Sequence, residues 1–307
     1  MNPNIQTDQL PGQGYSVVTF AYNEAATIGR TLHSVLANAD SRLAHLTVIA
    51  NGCTDDTAKQ AKQALASANL PCTLVEIDLG DKCNAWNTYL YDFLPNTEVH
   101  FFVDSDVTFS EGAFPKLFDA LIGAPNKQAV TGLPLSGRNQ AQYEELATRY
   151  SCLFGNLYGL KHDFATRLVE QGIRLPIGLN WIDAQITKLV NDNLAYAKDD
   201  YQHRVTFVEG VGYQFPSLKP WKKADRKLYI NRICRYKAGQ LQEPYLDALP
   251  FVDWPETMNE INREILTKGV SFKELGKLAL LKARVLARLT KVHRTDSEPA
   301  REYRLHS

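Results

Sequence analysis

Between residues 15 and 136 short runs rich in β-branched and aromatic residues alternate with segments of helical period, and this alternation limits the fold more than any other feature of the chain. YSVVTFAY (15–22), LTVIA (46–50), CTLVEIDL (72–79), VHFFVD (99–104) and QAVTGLPL (128–135) read as strands. The segments 24–39, 54–70, 81–94 and 110–122 read as amphipathic helices, with Thr54 as an N-cap and Asp55 and Asp56 in the first turn of the second. Strand, helix, strand in regular order predicts a mostly parallel sheet covered by helices. In such sheets ligands bind at the carboxyl ends of the strands, where loops and helix N-termini converge.

Those ends carry a polar inventory: Asn23 and Glu24, then Asn51, Gly52 and Asp55, then Gly80, Asp81 and Lys82, then Asp104, Ser105 and Asp106. The last group is the most demanding. An apolar strand, HFFV, runs straight into two carboxylates one residue apart, which repel each other and resist desolvation. Asx turns ahead of a helix would satisfy them, and so would a cation. Two short carboxylates supply hard oxygen ligands to Mg²⁺ or Mn²⁺ and leave coordination positions for a diphosphate.

The four blocks VVTFAYNEAATIGRTLHSVL, VIANGCTDDTAKQA, GDKCNAWN and FFVDSDVTFSEGAF, in this order and spacing, resemble glycosyltransferase family 2. The resemblance is strong over 15–136 and looser to about 240. It implies an α/β fold of the GT-A type: a Rossmann-like open mixed sheet flanked by helices, here with a helical, basic C-terminal extension. It further implies a metal-dependent, inverting transfer from a nucleoside-diphosphate sugar, a UDP-sugar first, to a hydroxyl acceptor on a cell-envelope glycan, polysaccharide or glycolipid. By the same resemblance Asp104 and Asp106 hold the divalent metal, with Ser105 between them. Ala21, Tyr22, Glu24 and Asn51 cradle the nucleoside, and Lys82 is the basic residue beside the nucleotide. Asn51 stands where Asp is commoner in the family.

In the second half, LPIGLNWIDAQITKLV resembles the family block whose acidic pair supplies the catalytic base; the pair reads Ile182-Asp183, so Asp183 alone matches. A carboxylate there can accept the proton of the acceptor hydroxyl, while its position also suits a helix cap. RICRY (232–236) resembles a degenerate form of the family's QxxRW block, and its Arg232 and Arg235 can pair with phosphate oxygens. The expected organisation is 1–240 as the transferase domain, divided into a nucleotide-sugar half (14–136) and an acceptor half (137–240), followed by a helical extension, 241–307, with a mobile tail. Segments 133–142 and 217–227 are candidates to close over the donor. Helices are expected over 140–159, 163–171 and 183–191, and a bent strand or strand pair over 204–215.

Composition narrows the rest. Lys and Arg balance Asp and Glu at 34 each, so the whole molecule has no charge for nucleic acid. The cations are nevertheless clustered: eight Lys or Arg against Asp225 in 217–237, and seven against one Glu in 270–294, where Leu275, Leu278, Leu281, Val285, Leu289 and Val292 recur at helical spacing. That last stretch suits either an anionic membrane surface or packing on the domain or a second subunit. Five cysteines without CxxC spacing, no visible signal peptide and no long apolar run fit a cytoplasmic protein, at most peripheral on the inner face of a membrane. A sugar nucleotidyltransferase and a non-catalytic nucleotide-sugar-binding protein are the competing readings.

Overall fold

The computed structural model describes residues 12–137, 139–195, 201–215, 221–270 and 279–306. Among these, strands β1 (Tyr15–Ala21), β2 (Leu43–Asn51), β3 (Cys72–Ile77) and β4 (Val99–Asp104) alternate with helices α1 (Ile28–Asn38), α2 (Thr57–Leu65) and α3 (Lys82–Asp92). β1 pairs in parallel with both β2 and β4, and β2 in parallel with β3. Register places Phe20 beside Asp104, Ala21 beside Ala50 and Asn51 beside Ile77. The carboxyl ends of four strands therefore share one rim.

The chain continues through β5 (Thr108–Phe109), α4 (Ala113–Ile122), β6 (Ala129–Pro134), α5 (Gln140–Tyr150), β7 (Leu157–Lys161), α6 (His162–Glu170), α7 (Ile182–Asn191) and β8 (Val205–Gln214). A long helix α8 (Lys223–Leu246), then α9 (Asn259–Lys268), α10 (Ala279–Leu289) and β9 (Arg301–Leu305) complete it. The sheet runs β5-β8-β6-β7-β4-β1-β2-β3-β9. β7 is antiparallel to β4 and β6, and β9 is antiparallel to β3, so the sheet is mixed, as expected.

Period-two alternation splits the strands between two cores. Val18, Phe20 and Phe102 face one side with Trp86, Tyr89, Tyr158 and the later helices; Tyr15, Val17, Phe101 and Val103 face the other with α1 and α4. Phe102 stacks on Tyr158 at 4.8 Å and meets the Tyr89 ring edge-on at 5.5 Å, which ties β7 to β4.

Three local expectations differ. The stretch 140–159 is not one helix: α5 stops at Tyr150, and β7 enters the centre of the sheet, because alternating Leu157, Gly159 and Tyr158, Leu160 fit a two-sided buried strand. The 54–70 helix is shorter and Thr54 does not cap it; Asp55 instead accepts the Thr57 amide, and α2 begins at Thr57. The C-terminal tail is no loose end, since Arg301–Leu305 extends the sheet along β3 from Cys72 to Glu76.

Residues 271–278, with Leu275 and Leu278, lie outside the described residues. Within α10 the apolar stripe faces protein: Val285 and Leu289 are buried and join the core beneath α8 and α9. No helix among the described residues is long and apolar enough to cross a membrane.

Candidate active site

The rim is built by loops locked to one another. Asn23 takes a left-handed backbone (φ 54°), and its Oδ1 accepts the Thr54 amide at 2.8 Å. The Glu24 amide donates to Thr57 Oγ1 at 2.7 Å and the Ala25 amide to Asp55 at 3.2 Å, which pins the turn after β1 to the turn after β2. Gly52 (φ +62°) lets the β2 turn touch the β3 turn: a Cβ there would lie 2.5 Å from the Gly80 backbone. Asn51 Oδ1 accepts the Asp81 amide at 3.0 Å and closes the same junction. Tyr22 leans over Gly80 with 56% of its surface exposed, so one aromatic face is open above this floor.

Asp81 then caps α3, accepting from the Cys83 and Asn84 amides, and its other oxygen accepts the Gly178 amide at 3.0 Å. This fixes the direction of the next residue, Lys82. The Lys82 ammonium donates to Asp104 Oδ1 at 2.5 Å, while Asp104 Oδ2 accepts from Asn156 Nδ2 at 3.0 Å. The following loop is held from α1, where Thr31 Oγ1 is 2.9 Å from the carbonyls of both Ser105 and Val107 and Arg30 donates to the Asp106 carbonyl at 3.2 Å.

The electrostatics are those of crowded acids. Burial raises the Asp106 carboxyl above its ordinary pKa, and the Asp104 charge adds to this, against Lys82 and Arg232. Burial likewise raises Glu24; the Thr27 hydroxyl bond opposes it, and the charges of Asp106, Asp104 and Asp55 push the same way as burial. Burial alone would lower the Lys82 ammonium, but Asp104 and Asp183 outweigh it and hold that pKa above the usual lysine value.

Asp183 faces this cluster from α7. It does not cap its helix, because Trp181 holds the N-cap position; its Oδ2 instead accepts the Gly155 amide at 3.2 Å. A Cβ on residue 155 would sit 2.7 Å from Asp183 Oδ1, so the approach needs glycine. From α8, Arg232 acts on Asp106 and Arg235 on Lys82, which brings the basic block to the rim. Tyr143 on α5 feels Tyr236, Arg232 and Asp183 after burial, and Trp181 and Tyr236 lie 6.3 Å apart, so aromatic rings border Asp183.

The fold thus gathers Glu24, Lys82, Asp104, Asp106, Asp183, Arg232 and Arg235 at one edge, with Tyr22 on its floor. Three further residues sit at the rim in a different way. Asn51 is 4% exposed and commits its oxygen to Asp81. Ser105 is 6% exposed and Ala21 fully buried, so each can offer a ligand little beyond backbone. Asn156 and Gly178 were not anticipated, and Asp81 stood in the polar inventory of the strand ends without a role. The capping pattern of an acid before a helical run could have identified Asp81; nothing local marks Asn156, which meets Asp104 only through the β4–β7 pairing.

The described residues contain no group of three or more His, Cys, Asp or Glu side chains arranged to hold a metal unaided. The donor set still suits one: Asp104 and Asp106 are hard oxygen ligands in an acid-crowded site, and Mg²⁺ commonly takes one or two carboxylates and completes its shell with substrate phosphates and water.

The structure resembles a mannosyltransferase from Pyrobaculum calidifontis solved with GDP-Man and Mn²⁺, with a TM-score of 0.59 at 17% identity over 92% of this chain and 86% of that one. It also resembles a mycobacterial protein (TM-score 0.50, 19% identity, 74% and 75% covered) and glucosyl-3-phosphoglycerate synthase from Mycobacterium tuberculosis (0.48, 19%, 73% and 80%). At these identities the likeness is one of fold. No curated protein sequence matches the chain. Residues 16–177, more than half of the 307, match glycosyl transferase family 2. The chain with this rim of acids and bases belongs to glycosyl transferase family 2, and its activity is glycosyl transfer.

Proposed function

We propose that the protein transfers a sugar with inversion from a nucleoside-diphosphate sugar to a hydroxyl of a glycan or glycolipid. The observation that carries this reading is the Lys82–Asp104 pair at 2.5 Å on the carboxyl rim, with Asp183 acting on the same ammonium from the facing helix. Donor-side and acceptor-side charges thereby meet at one place.

The Tyr22 ring and the Gly52–Gly80 floor receive the nucleoside. Lys82 and Arg232 place fixed positive charge where the departing diphosphate accumulates negative charge. Mg²⁺ or Mn²⁺ on Asp104 and Asp106 would supply Lewis-acid neutralisation of that diphosphate, in keeping with the Mn²⁺ and GDP-Man of the structurally similar mannosyltransferase. Asp183 takes the acceptor proton. The Gly155 amide holds its Oδ2, which leaves Oδ1 to receive the proton as the acceptor attacks the anomeric carbon. Of the two segments expected to close over the donor we retain 133–142; its Arg138, like residues 216–220 of the other segment, lies outside the described residues.

Thermal shift with UDP- and GDP-sugars and Mn²⁺ tests the donor half. A donor at a hundred times its Kd stabilises the native state by about 2.7 kcal/mol. Asp183→Asn should keep that shift while nucleotide release in the presence of glycan acceptors falls by roughly 10²–10⁴. Normal transfer by Asp183→Asn removes the base assignment, and the absence of any donor-induced shift removes the donor assignment. Diphosphate release from a nucleoside triphosphate and a sugar phosphate would instead indicate a nucleotidyltransferase.

A further inference from the structure

Helix α8 carries an exposed surface that the transfer chemistry leaves unused. From Ile230 onward one stripe of the helix, Ile230, Cys234 and Ala238, packs into the core. Ahead of Ile230 the helix projects into solvent and leaves large apolar groups uncovered: Trp221 is 76% exposed, and Leu228 and Tyr229 are 57% each. Isolated exposed apolar residues are ordinary, but three within nine positions on one projecting end are not.

Their arrangement is sided. At about 100° per residue, Leu228 stands on the flank away from Ile230, in line with Arg232 and Arg235 four and seven positions on. Lys222, Lys223, Arg226 and Lys227, all exposed, precede Ile230 by eight, seven, four and three positions and occupy the other flank. Against these four cations the segment has one acid, Asp225, in a chain whose net charge is zero. Exposed Trp, Leu and Tyr interleaved with Lys and Arg are the composition of a helix end that lies in a membrane interface. The rings settle at headgroup level and the long basic side chains reach the lipid phosphates. A protein partner is the poorer fit, because lysine is depleted from protein interfaces.

We propose that the first two turns of α8, with Trp221 ahead of them, dock on the surface of a bilayer that contains anionic phospholipid. This placement is independent of the transfer reaction and holds whichever acceptor the site takes. It places a membrane contact on the helix next to the 270–294 stretch, where Val285 and Leu289 are buried while Leu280 and Val292 are exposed.

The full chain should co-sediment with vesicles of phosphatidylcholine and phosphatidylglycerol but not with phosphatidylcholine alone, and raised salt should weaken the binding. Lys222→Gln with Lys223→Gln should lower partitioning roughly 25-fold, each cation near the surface being worth about a factor of five. Trp221→Ala with Tyr229→Ala should lower it at least about tenfold. Both pairs are at exposed positions, and none of the four is among the residues gathered at the rim, so they should leave the thermal melt and the donor-induced shift unchanged. Wild-type protein that stays in the supernatant with both vesicle types overturns the proposal, as does equal sedimentation of wild type and both double variants. Concentration-dependent self-association that Trp221→Ala abolishes, without vesicle binding, assigns the surface to a second copy and equally overturns it.

Discussion

Glu24, Asp104 and Asp106 press on one another at the rim, and Lys82 is the ammonium set among them, 2.5 Å from Asp104. A divalent cation approaching Asp104 must compete with that lysine, whereas a bound diphosphate offers the lysine another anion. Lys82→Met should therefore strengthen Mn²⁺ binding to the nucleotide-free protein, read by isothermal titration. It should weaken nucleoside diphosphate binding by about tenfold or more, the loss of a charged hydrogen bond worth roughly 1.5–3 kcal/mol. Unchanged Mn²⁺ affinity would show that the lysine does not guard Asp104. These residues were legible in the sequence because each follows its strand directly, so local pattern and block order placed them together. Asn156, Gly155 and Trp181 were not, since each reaches the rim through a crossover whose geometry no neighbouring residue signals. Asn51 shows the opposite case: its block position was readable, but its 4% exposure and its bond to Asp81 depend on two turns meeting.

At the scale of elements, α3 depends on Asp81 for more than a cap. One oxygen holds the Cys83 and Asn84 amides and the other holds Gly178, where the His293 ring lies so close that a Cβ would fall 2.5 Å from it. His293 is itself tied to Asn259 through both its backbone groups, at 2.7 and 2.8 Å. The C-terminal segment thus braces the helix that aims Lys82 before it runs on as β9. Asp81→Ala should cost about 0.5–2 kcal/mol in chemical denaturation for the lost cap, and it should weaken donor binding as well, whereas a cap with no link to the site would change stability alone. The parallel elements were easy to read, since period-two runs and amphipathic helices alternate there. β7 and β9 were missed for physical reasons. The residues of β7 also satisfy a helical period, and only burial on both faces makes them a strand. β9 is a polar edge strand, REYRL, whose pairing comes from the free edge of β3 and not from hydrophobic pattern.

Across the whole molecule, four histidines are held below their ordinary pKa, and this sets how stability should vary with pH. His100 is fully buried at the end of the sheet remote from the acids. Its Nδ1 is 2.8 Å from Ser16 Oγ and 3.1 Å from Tyr89 Oη, and its Nε2 is 2.9 Å from His162 Nδ1. Burial first, and then the proximity of His162, drives the His100 pKa well down; burial also lowers His162, with Asp163 opposing, and lowers His45 and His293. Below pH of about 6.5 the unfolded chain binds protons on these rings that the folded chain refuses, so folding stability must fall as the pH drops through that value. His100 alone contributes a slope of up to about 1.4 kcal/mol per pH unit until its own folded pKa is reached. The raised carboxyls of Glu24, Asp92 and Asp106 act in the opposite direction, favouring the folded state as pH falls toward the carboxylate range. The loss should therefore be steepest just below 6.5 and flatten at lower pH. Urea denaturation at intervals from pH 7.5 to about 5 measures it. His162→Gln keeps an acceptor for His100, removes one of the two facing rings and should make the slope shallower. Stability that stays level across this interval, or a variant with the wild-type slope, would mean that the buried pair can take up a proton without loss of the fold.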